Sequence, residues 1–174
     1  MTEQRLLCDG WRFAELAPDT PVPEALEVQG SLVDIPHDFL IRDAQRLYRD
    51  ADGWYVRTVP LAPPPRRTFL RFDGVYMYST VFVDGDAVMA WKYGYTSFEC
   101  ELSRFAQGDS CQVALRVRHR MPNSRWYSGA GIYRDVSLII RPDHHIPADG
   151  LYCASSRQED GSWLLGLSCE RAGG

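Results

Sequence analysis

The stretch over residues 123–136, NSRWYSGAGIYRDV, combines an amide, three aromatic rings, two arginines and two glycines. An asparagine side chain offers two donors and an acceptor, which suits a hydroxyl-rich ligand such as a sugar. Trp126 and Tyr127 can present a flat apolar face to a sugar ring and a polar tip for hydrogen bonding. The same rings are equally consistent with a core, with Gly129 and Gly131 allowing a tight backbone. The stretch is therefore either a ligand-contacting loop or a sharply turning part of the core.

His37 and Asp38, in the segment IPHDF, resemble an acid–base pair at first sight. Adjacent residues in an extended segment point in opposite directions, however, so their side chains do not meet as a hydrogen-bonded dyad. We therefore expect them to anchor the surrounding segment. The chain also lacks a nucleophile elbow and a P-loop, and GAGIYR neither follows a parallel strand nor opens a helix, as a dinucleotide-binding fingerprint would. No residue of this chain is predicted to be catalytic.

Asp50 and Asp52, in RDADG, have the spacing of the first ligands of a calcium loop, but the remaining ligand positions of an EF-hand are missing. A turn before the strand at Trp54 is the simpler interpretation of Asp52. His144 and His145 are adjacent in a connector, without further ligands at the spacing that tetrahedral zinc requires. The sequence therefore predicts no bound metal and no cofactor in this chain.

Length, composition and charge describe an ordinary globular protein. The chain has 174 residues, is 45% hydrophobic and carries a formal net charge of −4, which allows one sizeable core and does not indicate disorder. Its arginines are scattered, and those within residues 111–120 alternate with apolar residues, as on the solvated face of a strand. Nucleic-acid affinity depends mainly on concentrated positive charge. Nucleic acid is therefore not an expected partner.

The five cysteines, Cys8, Cys100, Cys111, Cys153 and Cys169, form an odd set without CxxC spacing. We expect reduced and mostly buried thiols, which fit a cytoplasmic protein better than a disulfide-stabilised secreted one. The N-terminal MTEQRLLCDGWRF has no apolar signal region, and no segment reaches the length that spans a bilayer. The expected location is the cytoplasm, away from the membrane.

Period-two alternation of apolar and polar residues predicts β-strands along most of the chain. Val113, Leu115 and Val117 form one apolar face within a strand over residues 111–120. The other strands predicted before the C-terminal tail cover residues 11–16, 54–61, 68–72, 78–83, 87–92, 97–102 and 136–140. Short strands joined by glycine- and aspartate-containing turns predict an all-β fold, a two-sheet antiparallel jelly-roll β-sandwich. A (β/α)8 barrel is excluded because it needs about 250 residues and a helix after every strand.

Two segments interrupt the strand pattern. Residues 18–52 are long and mostly irregular, and we expect them to wrap over an edge of the sandwich. Residues 60–67, PLAPPPRR, fit a proline-rich connector between two strands better than a polyproline ligand for an SH3-like partner.

The C-terminal tail forms a separate unit in the sequence pattern. Strands over residues 151–155 and 163–169, joined by the turn QEDGS, make a hairpin whose apolar face has nothing left to cover. The predicted organisation is a jelly-roll domain over residues 1–143, followed over residues 144–174 by a linker and the first strands of a truncated second domain. The sequence therefore reads as a fragment of a larger protein.

The segment NSRWYSGAGIYRDVSL, residues 123–138, closely resembles the motif that closes the N-terminal sugar-binding domain of family 2 glycoside hydrolases. This family includes β-galactosidases, β-glucuronidases and β-mannosidases. Four further segments are similar to the family in the same order, VDIPHDFLI, GWYVRTV, LRFDGVYMYSTVFVDG and GYTSFECEL, so that the resemblance covers residues 11–141. It implies a jelly roll similar to galactose-binding-domain folds, followed by the start of an immunoglobulin-like domain.

The resemblance also implies where the chemistry lies. In the family, two glutamates of a later (β/α)8 barrel hydrolyse the glycosidic bond with retention, so no catalytic residue is expected here. A family loop at the position of Asn123 reaches the substrate pocket, which makes Asn123 the first predicted substrate-binding residue and Asp50 the second. Arg125, Trp126 and Tyr127 are expected to support this loop. Some members carry an aspartate at the Asn123 position, which can help to hold a metal ion, and the neutral amide weakens that expectation.

The resemblance favours a non-catalytic domain of a β-galactosidase, with a β-glucuronidase or a β-mannosidase as alternative parent enzymes. The fragment alone is predicted to be inactive. Expected partners are a β-galactoside or related sugar, the catalytic barrel of the same full-length chain and further copies in a homo-oligomer. Two other hypotheses stay open at this point. A free-standing carbohydrate-binding module would bind sugar in isolation, and a purely structural jelly roll would only position the barrel or form oligomer contacts.

Overall fold

The computed structural model of the chain describes residues 1–22, 27, 29–42, 45, 47–106, 108–122 and 129–173. Within these residues the chain forms fifteen β-strands. In order they are β1 (Glu3–Leu6), β2 (Trp11–Leu16), β3 (Ser31–Val33), β4 (His37–Asp38), β5 (Ala51–Pro60), β6 (Arg67–Phe72), β7 (Val75–Tyr76), β8 (Ser79–Val83), β9 (Asp86–Trp91), β10 (Phe98–Glu101), β11 (Ser110–His119), β12 (Gly131–Ile132), β13 (Val136–Arg141), β14 (Leu151–Arg157) and β15 (Trp163–Cys169). Every predicted strand is present, whereas the short strands β1, β3, β4, β7 and β12 were not predicted.

The strands form an antiparallel β-sandwich, which confirms the predicted all-β fold. One sheet has six strands in the order β3-β2-β5-β11-β8-β9, and the other has four in the order β1-β13-β6-β10. A small third sheet has the order β4-β12-β7. The long strands β5 and β11 are paired along their whole length, from Ala51 opposite His119 to Pro60 opposite Ser110. This pair forms the centre of the six-stranded sheet and sets where the segment after β11 begins.

The main core lies between the two large sheets. The predicted apolar face of β11, Val113, Leu115 and Val117, is fully buried there and packs with Leu70 and Phe72 of β6. Each of these residues faces inward because alternate side chains of a strand point to opposite sides of the sheet. The period-two pattern of β11 therefore identified its core face correctly.

The outward face of β11 is not the solvated face that its alternating arginines predicted. Trp54 and Phe82 are buried on that side in a second apolar cluster, and Val22 packs against it. The Arg116 guanidinium lies over both rings, 5.6 Å from the Trp54 centroid and 5.5 Å from the Phe82 centroid. Burial lowers the pKa of Arg116, and the positive charge of Arg118 acts in the same direction. The prediction was wrong because the alternation within β11 carries no information about a distant segment that folds over it.

The proline-rich segment is the connector that the sequence predicted, whereas the longer segment contributes strands to the sheets. Within the described part of residues 18–52, β3 pairs with β2 and becomes an edge strand of the six-stranded sheet. Residues 60–67 connect β5 with β6, and the Leu61 amide donates a hydrogen bond to the carbonyl oxygen of Asp109 at 2.8 Å. No helix within the described residues has the length and the apolar character that crossing a membrane requires.

Strands β14 and β15 form the C-terminal hairpin that the sequence predicted. The two strands pair only with each other, and all of their residues are exposed. The connector before the hairpin is held to the four-stranded sheet, where the Arg67 Nε donates to Asp143 Oδ1 at 2.6 Å. Cys153 and Cys169 lie on this hairpin and are exposed. The expectation of mostly buried thiols was therefore wrong for these two, because the hairpin has no cover within the described residues.

Candidate functional site

The candidate site centres on residues 123–128, which follow β11 and precede β12. Four of the predicted site residues lie outside the described residues: Asn123, Arg125, Trp126 and Tyr127. Their roles stay predictions. The structure describes both flanks of this segment, so it defines where the chain enters and leaves it.

The entry flank continues the pairing between β5 and β11 beyond its last ladder pairs. Arg118 is opposite Asp52 and His119 is opposite Ala51 at the end of the ladder. His119 is buried, and its Nδ1 lies 2.6 Å from the carbonyl oxygen of Arg49. The chain that leaves β11 is therefore still held against the chain that enters β5.

Asp52 and Arg120 form an ion pair at this flank. The Arg120 Nη1 donates to Asp52 Oδ1 at 2.6 Å, and the Asp52 side chain is fully buried. The same nitrogen lies within hydrogen-bond distance of the carbonyl oxygens of Ala51 at 3.1 Å and His119 at 2.9 Å. The bond to Asp52 raises the pKa of Arg120. The turn that was predicted for Asp52 is wrong, because the residue lies within β5 and its carboxylate pairs with Arg120, the first residue after β11.

Asp50, the second predicted substrate-binding residue, lies beside the same flank. Its Oδ1 accepts a hydrogen bond from the Met121 amide at 2.7 Å. Met121 precedes Asn123 by two residues in the sequence, so the pairing of β5 with β11 brings Asp50 to the start of the candidate loop. Asp50 is exposed, which leaves its carboxylate accessible to a ligand.

The exit flank is fixed in the three-stranded sheet. The Phe39 amide donates to the carbonyl oxygen of Ala130 at 2.9 Å, and Gly131 pairs with both β4 and β7. Gly131 has a φ of +143°, and a Cβ atom there would collide with the His37 carbonyl oxygen and the Tyr55 hydroxyl. A glycine is therefore required where the chain leaves the candidate loop.

His37 and Asp38 support this flank through different contacts. The His37 Nδ1 lies 2.9 Å from the Tyr55 hydroxyl, and Asp38 Oδ1 accepts the Leu40 amide at 2.8 Å. Burial lowers the pKa of His37, and the positive charge of Arg42 lowers it further, whereas Asp38 acts in the opposite direction. Both residues anchor the backbone around β4, as the sequence analysis expected.

The described flanks of the site are held by an ion pair and by side-chain contacts to the backbone. Within the described ranges, no group of three or more histidine, cysteine, aspartate or glutamate side chains converges as a metal site would require. The described side chains around the loop instead neutralise charge and satisfy backbone groups, and Asp50 adds an exposed carboxylate. Sequence reasoning missed the pairing of Asp52 with Arg120. The opposite charges at the ends of two predicted strands were the available signal, but using it required the register of β5 against β11.

The fold defines the chain as an antiparallel β-sandwich domain, and comparisons with known proteins identify its family. Residues 21–142 match the family model described as glycosyl hydrolases family 2, sugar binding domain. The chain therefore belongs to this family, and it corresponds to the N-terminal domain of family 2 glycosidases. This result confirms the resemblance that the sequence motifs carried.

Curated and structural relatives agree with the family assignment. The chain is 34% identical to beta-galactosidase BoGH2A of Bacteroides ovatus over 151 residues, covering 79% of this chain and 18% of that protein. It is 32% identical to a beta-glucuronidase of Bacteroides fragilis over 130 residues, covering 66% of this chain and 18% of that protein. A crystal structure of a beta-glycosidase from Bacteroides vulgatus superposes with a TM-score of 0.80 at 28% identity, covering 99% of this chain and 24% of that one. The chain thus spans less than a fifth of the length of these two curated relatives.

Proposed function

We propose that this chain is the sugar-binding domain of a β-galactosidase that hydrolyses O-glycosidic bonds, and that it packs on the catalytic domain of its own full-length chain. Its identity to a β-galactosidase over most of its length supports the choice of substrate. In this proposal the domain contributes a substrate-pocket loop and no catalytic group. The proposal includes no cofactor for this domain and a cytoplasmic location, in line with its five free cysteines.

The observation that carries the proposal is the contact between Asp50 and the start of the candidate loop. The Met121 amide donates to Asp50 Oδ1 at 2.7 Å, and Asn123 follows two residues later. An exposed carboxylate can accept hydrogen bonds from sugar hydroxyls, and an asparagine amide can both donate and accept them. We propose that Asn123 contacts the bound sugar, that Asp50 lines the same pocket, and that Arg125, Trp126 and Tyr127 support the loop.

We further propose that residues 144–174 are a linker and the first hairpin of the next domain. In the register of β14 with β15, Leu151, Leu165 and Leu167 share one face of the hairpin, and their exposed fractions are 56%, 62% and 64%. Apolar side chains on one face of a strand are normally covered by a second layer. This uncovered face supports an embedded domain rather than a free-standing carbohydrate-binding module.

Substituting Asn123 by alanine in the full-length enzyme tests the proposed sugar contact. Loss of one hydrogen bond to substrate is worth about 1 kcal/mol, so we expect KM for a chromogenic β-galactoside to rise about fivefold. The steady-state KM and kcat of the variant and the parent enzyme provide the measurement. Gln112→Ala is the matched control, because it removes an amide from the opposite end of β11 and should leave KM unchanged.

Two results would contradict the proposal. Unchanged kinetics of Asn123→Ala would favour a purely structural jelly roll. A full-length enzyme that cleaves a β-glucuronide or a β-mannoside much faster than a β-galactoside would refute the proposed substrate, while leaving the family assignment intact.

A further inference from the structure

The ion pair between Asp52 and Arg120 lies where β5 and β11 meet at one end, beside the charged residues Arg118 and Asp19. Asp52 lies within β5 between the buried residues Ala51 and Trp54, and its side chain is fully buried. Removing a carboxylate from water is unfavourable unless a partner compensates for the lost hydration. Arg120, from the first position after β11, is the nearer of two such partners, and the Arg118 Nε lies 3.9 Å from Asp52 Oδ2. A carboxylate in this position therefore constrains where the chain leaves β11.

The contacts of Arg120 link the adjacent ends of β5 and β11. Its Nη1 lies within hydrogen-bond distance of Asp52 Oδ1 and of the backbone carbonyl oxygens of Ala51 and His119. These three oxygens belong to both β5 and β11, so one guanidinium fixes the two strand ends relative to each other. A lysine ammonium is a compact charge without the planar fork of a guanidinium and would hold this arrangement less rigidly.

The next residue of the chain is held by a second contact of the same kind. The Met121 amide donates to Asp50 Oδ1 at 2.7 Å, so Asp50 and Asp52 hold two consecutive residues, Met121 and Arg120. The Asp19 amide lies 3.4 Å from Asp52 Oδ2, which connects the same carboxylate to the N-terminal segment. The contacts of Arg120 and Met121 with Asp52 and Asp50 therefore fix where the candidate loop begins relative to β5.

We propose that the Asp52–Arg120 pair positions the chain at Met121 and thereby sets how tightly the loop that begins at Asn123 holds its sugar. Asp52 and Arg120 are positioning residues in this proposal and do not contact the substrate. The inference about affinity rests on the proposed function of Asn123, whereas the inference about the backbone at Met121 does not.

The test uses Asp52→Asn, Arg120→Gln and the double variant in the full-length protein. We expect each single variant to raise KM by at most about fivefold, the effect of losing the Asn123 contact itself, with kcat within about twofold, because the pair acts only through that contact and the catalytic residues are unchanged. The double variant should show less than the product of the two single effects, since both substitutions remove the same contact. Arg120→Lys should restore only part of the affinity.

A second measurement does not depend on catalysis. Hydrogen exchange followed by mass spectrometry, in overlapping peptides that isolate the Met121 amide, should show exchange at least tenfold faster in both single variants. Peptides from β6 and β13 should be unchanged. Uniformly faster exchange in every peptide would indicate global destabilisation and would overturn a local positioning role.

Glu99→Gln is the matched control because it breaks a comparable pair on the other sheet. The Arg141 Nη1 donates to Glu99 Oε2 at 2.6 Å, and the two side chains are only 11% and 10% exposed. This variant should change neither KM nor the exchange of the Met121 amide. If Glu99→Gln raises KM as much as Arg120→Gln, the effect of Arg120 is not specific and the inference fails.

The two proposals fail in different ways. If Asn123→Ala raises KM but Asp52→Asn and Arg120→Gln change neither KM nor Met121 exchange, the positioning role is wrong and the sugar contact stands. If the variants speed Met121 exchange but neither they nor Asn123→Ala alters KM, the pair holds the backbone and the proposed sugar contact is wrong.

Discussion

Strand β11 and the hairpin of β14 and β15 have similar sequence patterns and opposite environments. Leu115 of β11 is fully buried between the two large sheets, whereas Leu165 and Leu167 of β15 are more than 60% exposed. Strand β11 places Val113, Leu115 and Val117 on one face, and β15 places Leu165 and Leu167 on one face. The difference is that the four-stranded sheet covers β11, while the described residues contain no layer over β15. An alternating pattern therefore identifies the apolar face of a strand, but whether that face is buried depends on a second layer from another part of the protein.

The rate of thiol labelling should give the largest contrast between the sandwich core and the hairpin. Burial raises the pKa of Cys100 to about 12, with Cys111 and Glu101 adding to the effect, and it raises that of Cys111 to about 11. The thiolate is the reactive form. We therefore expect iodoacetamide at pH 8 to label exposed Cys153 and Cys169 of the 174-residue chain at least about 100-fold faster than Cys100 and Cys111. Mass spectrometry of tryptic peptides over time measures each rate.

The same labelling reaction in the full-length protein tests whether a further domain covers the hairpin. If a following domain covers the apolar face of the hairpin, Cys153 and Cys169 should become protected there, since both share that face with Leu165. Equal labelling of these two cysteines in the 174-residue chain and in the full-length protein would contradict the proposed domain boundary.

Truncation of leucine should give the next largest contrast. Leu115→Ala removes a fully buried side chain and should lower the free energy of unfolding by about 2–5 kcal/mol. Leu165→Ala, at a position that is 62% exposed, should change it by less than about 0.5 kcal/mol in the 174-residue chain. Urea midpoints of the two variants provide the measurement. Equal losses would mean that the hairpin is already packed within this chain.

The pH dependence of stability should give the smallest effect, and it should come from the sandwich. The pKa of His37 is below its ordinary value of 6.5 when the chain is folded, so below about pH 6.5 the unfolded chain binds a proton that the folded chain does not. The free energy of unfolding should therefore decrease as pH falls from 7.5 to 5.5, by at most about 1.4 kcal/mol per pH unit for one proton.

The matched variant for this effect is His37→Gln, which keeps a polar side chain and removes the titration. Its urea midpoint should depend less on pH over the same range than that of the parent chain. A parallel pH dependence in both proteins would assign the effect to another group.

Much of the fold could be predicted from the sequence because patterns of neighbouring residues indicate its strands and turns. The alternation in β11 and the turn residues after β8 located their strands, and five ordered motifs indicated the family. The short strands β4, β7 and β12 were not predicted, since two-residue strands have no period to detect. The contact of Arg116 with the rings of Trp54 and Phe82 was also missed, because these two residues are far away in the sequence.

The candidate site could be predicted only as a set of residues. Asn123 and Asp50 were chosen from resemblance, and the structure adds that Asp50 holds the Met121 amide. Asp52 was misinterpreted as part of a turn, although it is a buried partner of Arg120. Sixty-eight positions separate these two residues, and no local pattern spans such a distance.

The sequence by itself determined the strands with clear alternation, the glycines of the tight turns and the motifs of the family 2 sugar-binding domain, because each depends on residues close together in the chain. Only the tertiary structure decided which faces are covered, which charges are paired and where the chain enters and leaves the loop at Asn123. These features depend on the register of β5 against β11 and on the packing of the two sheets. Such contacts join distant parts of the chain, and their energies depend on distances that exist only after folding.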